Sequence, residues 1–100
     1  MSPPLDKLTG ADFAPHAGAP FRVESPGVEG LDLVLGEIGP AGEGVAGARQ
    51  PFSLVFAGPP QPVLRQAIHV LVHPALGRLE IFLVPIGPAD GRMRYQAIFS

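Results

Sequence analysis

Apolar residues recur at every second position along most of this chain, and the phase of each run sorts its side chains into an inward and an outward set. FRVE at 21–24 sets Phe21 and Val23 against Arg22 and Glu24. GLDLVLGEI at 30–38 puts Leu31, Leu33 and Leu35 in phase, and PFSLVF at 51–56 does the same for Phe52, Leu54 and Phe56. In VLRQAIHVLVH at 63–73 the β-branched residues Ile68, Val70 and Val72 align. RLEIFLVP at 78–85 aligns Leu79, Ile81 and Leu83, and RMRYQAIF at 92–99 aligns Met93, Tyr95, Ala97 and Phe99. Between these runs stand SPG, AGPPQP, HPALG and GPADG, whose prolines and glycines end strands and turn the chain. Only LTGADF departs from the two-residue period: Thr9 and Asp12 are spaced as a capping box, and Pro15 stops the helix after one or two turns, at about 10–14. About six strands and one short helix predict an all-β fold, a small antiparallel barrel or a compact sandwich, with the last three strands as a meander. The chain reads as a single domain over 1–100, with an N-terminal segment at 1–20 and a flexible Gly/Ala loop at 39–50.

The pattern is violated where a second apolar set faces out. With Leu79, Ile81 and Leu83 inward, Phe82 and Val84 point the other way, and the same phase sends Leu71 and Ile98 outward. A barrel exterior is normally polar, so these four residues need a cover. One cover is the chain's own N-terminal segment, with Leu5, Leu8 and Phe13 laid across the face as a lid. The other is a protein partner, which makes Leu71, Phe82, Val84 and Ile98 the candidate interaction face. Arg78, Arg92 and Arg94 project near it and are the candidate polar contacts for an acidic partner.

Composition narrows the partner. Apolar residues make up 46% of the 100 residues and charged ones only 16%, a shortage that fits hidden surface. A net charge of −2 argues against holding a polyanion, so nucleic acid is excluded as a partner. With no cysteine there is no disulfide or thiolate metal site, and stability rests on packing. The start MSPPLDKLTG is unlike a signal peptide and no apolar run is long enough for a membrane helix. The expectation is a chain that is cytoplasmic as synthesised, makes no membrane contact, and reaches the outside only as part of an extracellular or virion-like assembly.

Candidate chemistry is thin. His69 and His73 lie four apart, which on a strand separates them by about 13 Å, too far for one metal ion. They read as a surface residue and a turn former, and His16 as another surface position. Ser53 lies within a strand and Ser25 in a plain turn, without the sharp elbow that presents a nucleophile. The carboxylates are scattered, and GEGVAG at 42–47 lacks the Lys-Ser/Thr of a phosphate loop. No catalytic residue, metal ligand or cofactor site is assigned. The reading is therefore a non-enzymatic protein that binds other proteins, including copies of itself. The alternatives are a small ligand-binding barrel with a void lined by Phe52, Leu54 and Tyr95, or a small enzyme.

Three stretches carry a family resemblance: LTGADFAPHAG, RQPFSLVFAGP and QAIHVLVHPALGRLEIFLVPIGPADGRMRYQAIFS. The chain resembles a family of short uncharacterised bacterial proteins with PFSLxFxGP, HPxLGxxxxFLVP and YxAxF motifs, over most of its length except 24–48. The chain departs from that pattern at Ala67, where the family has Gly, and at Gln96, where it has an acid. The resemblance implies no catalytic residues. It implies an assembly or accessory role, since some members accompany phage-tail-like or tail-collar fibre proteins.

Overall fold

The computed structural model of the chain describes residues 8–40 and 51–99. Within them a short helix α1 (Gly10–Phe13) and a 3-10 turn (Ala14–His16) precede six strands. These are β1 (Pro20–Val23), β2 (Asp32–Pro40), β3 (Phe52–Gly58), β4 (Ala67–His73), β5 (Gly77–Ala89) and β6 (Arg92–Phe99). Every pairing is antiparallel, and the sheet closes on itself in the order β1-β2-β3-β6-β5-β4. Closure removes free edges, the standing liability of β proteins. β4, β5 and β6 form the expected meander, and β6 returns beside β3 in a Greek-key connection.

Local chemistry explains the turns. Asp90 and Gly91 carry φ values of 53° and 76°, the left-handed pair required by a tight two-residue hairpin between Ala89 and Arg92. β5 therefore runs on through Pro85 and Pro88, with a register shift between Pro85 and Gly87, instead of ending at Pro85. At the N-terminus the Asp12 carboxylate accepts the backbone N–H of Thr9 at 2.7 Å and its hydroxyl at 3.1 Å, as the capping pattern predicts.

The interior is one apolar cluster drawn from every strand, with Leu8, Phe13, Leu64 and Leu76 added from outside the strands. Phe13 is fully buried, with ring centroids 6.5 Å from Phe21, 5.9 Å from Phe52 and 5.7 Å from Phe99. Those three rings sit on β1, β3 and β6, so α1 plugs the ring of strands. Leu8 is buried in the same cluster. The lid reading fails for these two residues, which serve the interior and not the outer face, while Leu5 and the 41–50 part of the loop lie outside the described residues. The connection from β3 to β4 crosses β6 and β5, and there the Leu64 N–H donates to Tyr95 Oη at 2.9 Å in a buried bond.

One strand is out of phase with the sequence expectation. In β4 it is His69, Leu71 and His73 that are buried, whereas Ile68 is exposed and Val70 and Val72 are half-buried on the outside. Leu71 therefore leaves the candidate interaction face, and His69 is no surface residue. The cause is hairpin parity. His73 pairs with Gly77 across a three-residue turn, so odd-numbered residues of β4 oppose the inward odd-numbered residues of β5: Leu71 faces Leu79 and His69 faces Ile81. Met93, expected inward, is half-buried and packs at the margin of the core, beside the stretch where the β5 register shifts.

Candidate docking surface

The outward set of β5 meets matching residues on both neighbours. Phe82 pairs with Ile68 of β4, and on the other side the β5–β6 ladder ends at Val84–Gln96, with Ile98 on the outward phase of β6 two residues beyond Gln96. Ile98 in turn pairs with Ser53 of β3. The result is an uncharged row in which Ile68 is 65%, Phe82 50% and Ile98 64% exposed. Half-buried Val70, Val84 and Val55 extend the apolar surface along the strands. Three large exposed apolar residues on the outward phase of β4, β5 and β6 present side chains to a partner.

Of the residues singled out from sequence, Phe82, Val84 and Ile98 share this face; Ile68 takes the place assigned to Leu71. Arg78 forms an exposed ion pair with Glu80 at 3.3 Å, a contact of small energetic weight. Arg92 and Arg94 project outward from β6, beyond Gln96, and Arg94 lies between Gly87 and Ala57 with its Nε buried and without a hydrogen-bond partner.

A polar constellation escaped the sequence reading. β1 stops at Val23, and where its ladder to β4 ends Ser25 takes over: its Oγ accepts the Val70 N–H at 3.1 Å, next to the bond from Glu24 N–H to Val70 O. The same hydroxyl lies 3.1 Å from His69 Nδ1, while His69 Nε2 lies 2.8 Å from the Arg65 carbonyl oxygen. Because that carbonyl can only accept, Nε2 carries a proton, and in the neutral ring Nδ1 accepts from the Ser25 hydroxyl. Both side chains line a groove of about 310 Å³ with Val28, Leu64, Arg65 and Ile68. The network closes the seam between β1 and β4 and ties the crossing connection to β4. The signal was a serine opening the SPG turn directly after a strand.

His73 behaves differently. Its Nδ1 accepts the N–H groups of Ala75 at 3.0 Å and Leu76 at 3.3 Å, so it does form the turn. Its ring lies 4.3 Å from His16 and 4.6 Å from Phe21, centroid to centroid. Desolvation, and then the nearby His16, hold its pKa below the usual histidine value of 6.5. Among the described residues no three His, Cys, Asp or Glu side chains group as a metal site, and no helix is long and apolar enough to cross a membrane.

Residues 8–99 match the family model described as Domain of unknown function (DUF6916). No curated protein and no solved structure matches the chain. With nearly its whole length matched, the chain belongs to that family.

Proposed function

We propose that this member of the DUF6916 family is a non-enzymatic structural or accessory protein that binds other proteins through the outer face of β4, β5 and β6, as a subunit or assembly partner of a phage-tail-like or fibrous bacterial structure. The exposed row of Ile68, Phe82 and Ile98 carries this reading, because apolar surface kept in water at three adjacent strands has a cost that a partner would remove. The tail-like context rests on the motif resemblance alone. The interior gives less support to a ligand-binding barrel: Phe52, Leu54 and Tyr95 are themselves buried within the packed cluster. The Ser25–His69 pair favours a second reading, a small hydrolase, since a hydroxyl and an imidazole converge on one groove.

The experiment is to replace Phe82 with a photo-crosslinking phenylalanine in the source cells, using the same replacement at Gln61 as control. Protein adducts from position 82 well above the control are expected. Equal adducts at both positions would contradict the docking reading. A serine-directed fluorophosphonate offered to the purified chain should leave Ser25 unmodified; stoichiometric labelling would favour the hydrolase.

A further inference from the structure

We infer that residues 14–18 are a proton-operated cover: the 3-10 turn lays His16 against His73 at the plugged end of the ring, and acid lifts this turn while the six strands stay closed. The device is independent of the docking face.

The chemistry begins with the lone pairs of His73. Its Nδ1 accepts the N–H groups of Ala75 and Leu76, so in the neutral ring the one proton sits on Nε2. Neither nitrogen then has a lone pair free, so the two neighbouring imidazoles make no metal clamp; they respond to protons instead. A second proton has to enter at Nδ1, which the two N–H groups occupy, and the ring has to leave its slot to take it. Two rings crowd that slot: Phe21, fully buried, at 4.6 Å between centroids and His16 at 4.3 Å. Phe21 is fixed among Phe13 and Phe56, so the ring that can yield is His16.

The segment that carries His16 is lightly held. Ala14, Pro15, Ala17 and Gly18 are exposed, and His16 is the half-buried member of the five. The Gly18 N–H donates to Leu35 O at 2.6 Å and ties the far end to β2, while the Ala17 and Ala19 N–H groups bond back within the turn, to Ala14 O and His16 O. Lifting 14–18 therefore gives up little buried apolar surface, and Phe13, on α1 before it, keeps its place in the core.

Charge supplies the force. His73 faces Gly77 across the β4–β5 ladder, Phe21 on β1, and the uncharged Pro74, Ala75 and Leu76 of its own turn. The charged residues of the surrounding elements are exposed on the outside: Arg22 and Glu24 at β1, Asp32 and Glu37 on β2, Arg78 and Glu80 on β5. Asp12 on α1 is engaged by Thr9, and His69 further along β4 by Ser25 and the Arg65 carbonyl. Protonated together, the two imidazoles repel without a described carboxylate between them. Desolvation, and then the His16 charge, already hold the His73 pKa below 6.5 while the cover is closed. Opening removes both penalties, so the closed form dominates above pH 6.5 and weakens as pH falls toward and through the folded-state pKa.

The test is native-state hydrogen exchange of the full chain, followed residue by residue by NMR at pH 7.5 and pH 5 in a series of sub-denaturing urea concentrations. The reporter is the Gly18 amide, bonded to Leu35 O, and the amides of β3 are the reference. After correction for the intrinsic rate, Gly18 opening should rise about five-fold or more from pH 7.5 to pH 5, with a urea slope well below that of β3. His73→Asn should abolish the rise. His16→Gln, at a half-buried position, should reduce it, and stands in if the first variant does not fold. Three results would overturn the inference: a Gly18 opening that does not change with pH, an opening that shares the urea slope of β3 because the whole sheet unfolds with it, or a full acid response that persists in either variant.

Discussion

The Nδ1 of His73 accepts two backbone N–H groups, a role open only to the neutral imidazole, and the same ring is pressed against Phe21 and His16. Protonation would therefore break the turn contacts and charge a desolvated site. The folded-state pKa lies below the unfolded value of 6.5, so the unfolded chain binds protons more readily as pH falls. Stability attributable to His73 is present above pH 6.5 and is lost as pH drops toward and through the folded-state pKa. Urea midpoints measured between pH 7.5 and 5 should fall for the wild type and fall less for His73→Asn, which removes the titrating group while offering an amide oxygen as acceptor. Equal pH slopes for the two would contradict this role. His73 was legible as a turn former, whereas His69 was read as surface, because a hydropathy pattern records its polarity and not the hydrogen bonds that let it be buried.

At the scale of elements, α1 has only four residues yet carries one of the largest packing contributions. Phe13 touches rings on three strands, and Phe52 and Phe99 stack beside it at 4.7 Å. Phe13→Ala should cost about 3–5 kcal/mol in denaturant unfolding, the range for deleting a buried aromatic ring. A loss below about 1 kcal/mol would mean that the strands close without their plug. Legibility followed the elements unevenly. β3 and β6 were readable because alternation and turn signals agree, and Asp90-Gly91 announced its hairpin. β4 was misread because its phase depends on the parity of the turn at 74–76, which alternation within the strand does not contain. Ring closure was open to the sequence only as an alternative, since the β1–β4 seam rests on two residue pairs and then on Ser25 in place of strand.

For the whole molecule, two facts of different origin coincide on one face: the apolar surplus that breaks alternation at Phe82, Val84 and Ile98, and the parity that turns Ile68 outward beside them. Three of the four residues of the expected face were legible because β5 and β6 fix their own phase. The account's central claim is that this surface serves binding and not folding. Phe82→Asp tests it most directly, by denaturant unfolding at a concentration low enough that association does not add to stability. The account predicts a change within about 1 kcal/mol of wild type, as for other exposed positions. A loss of about 3 kcal/mol or more, the penalty for an unpaired charge forced into an interior, would contradict it.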